Sequence, residues 1–135
     1  MKMTVRSEYA LLALVVLAQQ SQEQAKYVNV KTISKLQSIP QSFLEQILLA
    51  MKHAGFVTSV KGQQGGYRLA KPANKISVGE VIRLFDGALA PTESVSKYFY
   101  RATPIKNEKK LMRLFKKIRD FVSDTLENTT IEDVS

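Results

Sequence analysis

The stretch Gly62-Gln63-Gln64-Gly65-Gly66 constrains this chain more than any other five residues. Glycines reach positive φ without steric cost, so such a cluster marks a sharp reversal. Phe56-Val57-Thr58-Ser59-Val60-Lys61 stands before it, β-branched and aromatic, and Tyr67-Arg68-Leu69 follows. Together they predict a β-hairpin with a flexible tip. The remaining periodic segments read as helices, so the chain is mainly α with a small β-hairpin appended.

Three helical segments precede the hairpin. Residues 7–19 take Ser7 as N-cap and Glu8 in the first turn. This helix is apolar on every side over 9–18, which predicts burial all round. Residues 19–27 are polar and read as a loop. A short second helix over 31–37 buries Ile33 and Leu36, and Gln37-Ser38-Ile39-Pro40 makes a tight connection. The third helix spans 41–53 and stops at Gly55. Its Leu44, Ile47, Leu48 and Met51 form a core-facing stripe, while Ser42, Glu45, Gln46, Lys52 and His53 lie opposite. Leu49 falls among the polar residues. It is placed to touch a thymine methyl, or the helix is rotated in its packing, and spacing leaves both open.

After the hairpin, Ser77-Val78-Gly79-Glu80 is a capping box, and Ile76 with Val81 forms the matching hydrophobic staple. The helix it opens ends at Asp86-Gly87. Residues 88–106 have no clear period and contain Pro91 and Pro104; at that length they read as a regulatory or ordering loop. Tyr98, Phe99 and Tyr100 read as anchors of that loop in preference to the lining of a ligand pocket. The last helix, over 107–127, carries Leu111, Leu114, Phe115, Ile118, Phe121, Val122, Thr125 and Leu126 as one continuous apolar face. A second copy of the chain is the favoured partner for so long a stripe. The predicted organisation is therefore a body over 1–87, a loop over 88–106, and a dimerisation helix with its tail over 107–135.

Composition decides what such a fold is used for. Lys and Arg number 20 against 12 Asp and Glu, a net charge of +8. Residues 1–87 hold 11 basic and 5 acidic side chains, and residues 88–135 hold 9 and 7, so the excess lies mainly in the body. The apolar run over 11–18 is about half a bilayer span, and no cleavage site follows it, so the expected location is the cytoplasm. There is no Cys, and His53 is the single His. Thiolate metal sites and cysteine nucleophiles are thereby excluded. Asp120 and Asp124, one turn apart on the polar side of an amphipathic helix, read as solvated surface. The expectation is a protein that is not an enzyme and that binds a polyanion.

Two short helices with a tight turn, a third helix with a polar outer face, and a glycine-tipped hairpin make a winged helix-turn-helix. The major groove of duplex DNA admits an α-helix and presents a readable donor and acceptor code. Ser42, Glu45 and Gln46 occupy the half of the third helix that enters the groove in this motif, with Lys52 further along. Gln pairs with adenine and Glu accepts from cytosine N4. Lys61 and Arg68 flank the hairpin tip, suited to phosphates or a narrow minor groove. A winged helix that docks on protein is the competing reading, and it would call for an apolar or acidic outer face.

The run Ile33-Ser34-Lys35-Leu36-Gln37-Ser38-Ile39-Pro40-Gln41-Ser42-Phe43-Leu44-Glu45-Gln46-Ile47 closely resembles the helix-turn-helix signature of the Rrf-two family, the IscR/CymR/NsrR-type bacterial regulators. The segment from Ala54-Gly55-Phe56 through Gly65-Gly66-Tyr67 to Lys71-Pro72 resembles it as well. So do Met3-Thr4 with Tyr9-Ala10-Leu11, Ile76-Ser77-Val78-Gly79-Glu80-Val81-Ile82, and Thr129-Thr130-Ile131-Glu132-Asp133. The resemblance implies a dimeric transcription factor, usually a repressor, held together largely by its long C-terminal helix; a two-fold homodimer presents two recognition helices and so predicts an inverted-repeat site. It implies base contacts at Ser42, Glu45 and Gln46. At the wing position commonly held by Arg, this chain has Lys61, which keeps the charge and loses the planar fork. Many members hold an iron–sulfur cluster on three cysteines after the fourth helix, a segment that here has none. The chain is similar to Cys-free members that answer to a partner protein or an unidentified ligand.

Overall fold

A computed structural model describes residues 1–20 and 26–135. In chain order the elements are α1 (Val5–Gln20), α2 (Val30–Gln37), α3 (Gln41–His53), β1 (Val57–Val60), β2 (Gly66–Leu69), α4 (Val78–Asp86) and α5 (Lys109–Glu127). Most of the loop expected over 19–27 lies outside the described residues. Leu14, Leu17, Ile33, Leu44, Ile47, Leu48 and Met51 are fully buried, and they make α1, α2 and α3 one core to which α4 adds Val81 and Ile82.

Asn29 starts α2, its side chain accepting from the Lys31 N–H at 2.8 Å, and Ser38 ends it in the left-handed region at φ 54°. The turn is locked when the Ser34 hydroxyl donates to the Ile39 carbonyl at 2.5 Å. The expected capping box is present: the Ser77 hydroxyl accepts from the Glu80 N–H, and the Glu80 carboxylate accepts from the Ser77 N–H.

The hairpin pairs β1 with β2 antiparallel, Val57 opposite Leu69 and Val60 opposite Gly66. A third partner was not legible in the sequence. Val28 donates to the Tyr67 carbonyl at 2.7 Å and accepts from its N–H at 2.8 Å, joining the start of the helix-turn-helix to the wing. This contact explains Gly66, whose φ is 150° and where a Cβ would lie 2.1 Å from the Val28 carbonyl oxygen.

Four expectations need correction. α1 begins two residues early, at Val5, so Ser7 is buried within the first turn and is not the N-cap. Nor is α1 buried all round, because Leu12 is exposed and Val15 half-buried on the side away from the core. Leu36 is 58% exposed, since α2 is short and buries only Ile33. The apolar face of α5 divides in two. Phe115, Val122 and Leu126 are half-buried, while Leu111, Leu114, Ile118 and Phe121 are exposed at 44, 49, 39 and 75%.

Behind α4, the chain after α5 returns to the body. Val78 donates to the Thr129 carbonyl at 2.8 Å, Ile131 donates to the Ile76 carbonyl at 2.9 Å, and the Ile131 side chain is fully buried. Arg83 of α4 forms an ion pair with Glu127 of α5, and Gly79 leaves room for it, since a Cβ there would meet the Glu127 side chain at 3.0 Å.

Candidate nucleic-acid interface

α3 presents its four buried residues inward, so Gln41, Ser42, Glu45, Gln46, Leu49, Lys52 and His53 are left exposed outward. Leu49 is 48% exposed, so it belongs to the outer face as a neighbour of the polar residues. Lys52 and His53 occupy the last turn, where the helix macrodipole favours a cation. Gly55, at φ 86°, then turns the chain into β1, and Phe56 donates to the Met51 carbonyl at 2.9 Å.

This geometry sets the wing beside α3 and leaves a concavity of about 470 Å³ between them. Gln41, Glu45 and Lys52 line it from α3, Lys31 from α2, and Lys61 and Tyr67 from the hairpin. Three of these residues, Lys31, Gln41 and Tyr67, were not singled out in the sequence. Gln41 donates its side-chain amide to the Glu45 carboxylate at 3.1 Å, one turn along the helix. Burial pushes the Tyr67 phenol above its ordinary range, and the nearby Glu45 carboxylate pushes in the same direction. The Gly-Gly-Tyr sequence carried a signal for Tyr67 only through family resemblance. For Gln41 the i,i+4 spacing to Glu45 was there to be read.

Not every expected residue meets at this concavity. Ser42 and Gln46 are exposed on α3 but do not line it. Arg68 alternates to the opposite face of the hairpin, where its guanidinium lies 4.6 Å over the Tyr27 ring. Lys61 and Arg68 thus flank the tip as expected but face different sides.

The segment over 88–106 contains the short 3₁₀ turn Glu93–Val95 and runs into a second, Pro104–Asn107. Leu89, Ala90, Ser94 and Val95 are buried and hold it, and Arg119 of α5 donates to the Val95 carbonyl at 2.9 Å. Tyr98, Phe99 and Tyr100 are exposed, so the expected aromatic anchor is small polar and aliphatic instead. Tyr98 makes one such contact, its ring 4.7 Å from the Arg83 guanidinium. Asp120 is held by Arg119 and Asp124 by Lys97 at 3.6 Å, which separates the two carboxylates into different ion pairs.

A tri-helical body with a two-strand wing beside an exposed polar helix defines a winged helix-turn-helix regulator. Comparison with known proteins agrees. A family model described as Rrf2, "Iron-dependent Transcriptional regulator", matches residues 3–135. The HTH-type transcriptional regulator CymR of Bacillus subtilis (strain 168) is 30% identical over 135 residues, covering 100% of this chain and 90% of that protein. The solved structure of CymR (YrzC) of B. subtilis superposes with a TM-score of 0.78 at 28% identity, covering 99% of this chain and 95% of that one. T. potens IscR gives 0.72 at 28% identity, covering 99% and 85%. The chain belongs to the Rrf2 family of transcriptional regulators; it is a DNA-binding regulator and not an enzyme.

The family description implies iron, and the donor set here does not fit an iron–sulfur cluster. The chain has no Cys, and its one His is exposed on α3, outside the 88–106 segment in sequence. Among the described residues, no group of three or more His, Asp and Glu could hold a metal ion. No helix among them is long and apolar enough to cross a membrane.

Proposed function

We propose that the protein is a cytoplasmic, sequence-specific repressor that binds an inverted-repeat operator as a homodimer. Residues 1–87 form the DNA-binding unit, 88–106 the segment through which a signal enters, and 107–135 the dimerising helix and tail. Ser42, Glu45 and Gln46 read base edges, Lys52 and Arg68 meet phosphates, and Lys61 enters the narrow groove beside the site. The observation that carries this reading is the concavity shared by Glu45, Lys52, Lys61 and Tyr67 between α3 and the wing. A hydrogen-bonding helix face and the Lys61 cation border the same concavity, which supports a groove-reading role.

The second copy is supported by the exposed stripe Leu111, Leu114, Ile118 and Phe121, which recurs at alternating three- and four-residue steps. A two-fold dimer sets two copies of α3 in opposite orientations, hence the palindromic site. With no thiolate available, the signal arrives through an unidentified effector or a partner protein. Selection of genomic fragments on the purified protein, followed by footprinting, tests the reading. Recovery of one inverted-repeat motif supports it; fragments sharing no motif would reject it.

A further inference from the structure

The start of α5 and the turn before it carry charge that their own surroundings do not balance. Residues 106–117 hold Lys106, Lys109, Lys110, Arg113, Lys116 and Lys117 against Glu108 alone. Cations are favoured at the C-terminal end of a helix, yet the last turn of α5 has none, and Asp120, Asp124 and Glu127 gather towards that end. Lys109 with Arg113, and Arg113 with Lys117, are also like-charged i,i+4 pairs, which repel.

Four of these cations converge. Lys106, Lys109, Arg113 and Lys116, with Met112, line a cleft of about 330 Å³ between the turn Pro104–Asn107 and α5. Glu108 does not line it. Among the described residues none of the four forms an ion pair; the carboxylates of α5 pair instead with Arg83, Lys97 and Arg119. On a 100° helical wheel, positions 109, 113 and 116 lie on the side remote from the stripe Leu111, Leu114, Ile118 and Phe121. A dimer built on that stripe leaves the cleft open.

We propose that this cleft binds a small molecule bearing two or more phosphate groups. Its volume is at the lower end for small-molecule sites. Lys ammonium groups act as point charges on phosphate, the Arg113 guanidinium offers a bidentate fork, and Met112 adds an apolar side chain to the lining. Gathering round one concavity suits a compact anion better than an extended nucleic-acid strand. The site is separate from the α3–wing concavity and shares no lining residue with it.

Isothermal titration with pyrophosphate and with inorganic phosphate, at low and at moderate salt, tests the site on the full chain. The expected result is saturable uptake of one pyrophosphate per chain, at least tenfold tighter than inorganic phosphate. Lys109→Ala with Arg113→Ala should weaken it at least tenfold, while Lys2→Ala with Lys75→Ala, which removes the same charge elsewhere, should not. Circular dichroism and an unchanged unfolding midpoint confirm that each pair of substitutions leaves the fold intact. Unsaturable uptake, or equal loss in both variants, overturns the proposal. So does a cleft variant that keeps pyrophosphate binding but loses affinity for long operator fragments, which would assign the cations to DNA.

Discussion

Thr4 and Asp86 tie the beginning of α1 to the last residue of α4. The Thr4 N–H donates to one oxygen of the Asp86 carboxylate at 2.9 Å and its hydroxyl donates to the other at 2.5 Å. An acceptor 82 residues away therefore does the work of a helix cap.

That arrangement predicts a pH-dependent stability. Burial alone would raise the Asp86 pKa, but the Thr4 hydroxyl and N–H and the charge of Arg6 outweigh it and hold the carboxyl below its ordinary range. A depressed folded-state pKa contributes stability that is complete above the unfolded value, near 4, and is lost as pH falls through the folded one. Asp86→Ala should cost about 1 kcal/mol in urea unfolding at pH 7. The gap between variant and parent should close in strong acid; a gap that persists below about pH 2 would count against the assignment.

Gly66→Ala is expected to be more damaging than its position on a surface hairpin suggests. The added methyl would overlap the Val28 carbonyl, breaking the bridge between the helix-turn-helix and the wing. A loss of roughly 2 kcal/mol or more should appear in thermal unfolding. Gly62→Ala, with nothing near its Cβ, bears only the strain of a positive φ and should cost less.

Much of this architecture was open to reading from local pattern. The stripe Leu44, Ile47, Leu48 and Met51, the Ser77–Glu80 box and the glycine tip each depend on neighbours a few residues away, and such patterns declare themselves. What stayed hidden depends on distant partners. Ser7 has the chemistry of a cap, yet Asp86 supplies the cap and draws the helix start back to Val5. Nothing near Val28 marks it as a strand partner of Tyr67. The two halves of the α5 stripe look identical in sequence, because the approach of α4 and of the turns Glu93–Val95 and Pro104–Asn107 decides which half is covered. At the interface, helical periodicity gave the outer face of α3, but which of its residues share a concavity with the wing follows from the tertiary placement of the hairpin.

DNA recognition is checked by pairing a base-reading variant with a variant of the wing cation assigned to the narrow groove. Gln46→Ala should lose about 1–3 kcal/mol at the selected operator and relax preference at one base pair. Lys61→Ala should weaken binding across sequences and reduce the slope of log K against log salt by about 1. Fluorescence anisotropy over a salt series measures both. If neither variant departs from the parent, the interface lies elsewhere.

Assembly through α5 predicts that Ile118→Asp with Phe121→Asp yields a folded monomer, because both side chains are exposed in the single chain. Sedimentation at micromolar concentration should show the change, with a matching loss of affinity for the full palindrome. An undisturbed dimer would move the interface to another surface.

Iron chemistry gives a simpler test. Protein purified without air should carry no stoichiometric iron and sulfide, and chelators should leave operator binding unchanged. A charge-transfer band with matching iron and sulfide content would contradict this.

The burial of Ile131 has a consequence for how the chain matures. Its backbone pairs with Ile76 and its side chain fills the core beside α4. During synthesis α1, α2 and α3 emerge early and can pack on one another, but the α4 side of the core stays unsealed until residue 131 has left the ribosome. Folding of the DNA-binding body is thereby coupled to completion of α5 and the residues after it, so a nascent or prematurely ended chain is expected to bind DNA poorly.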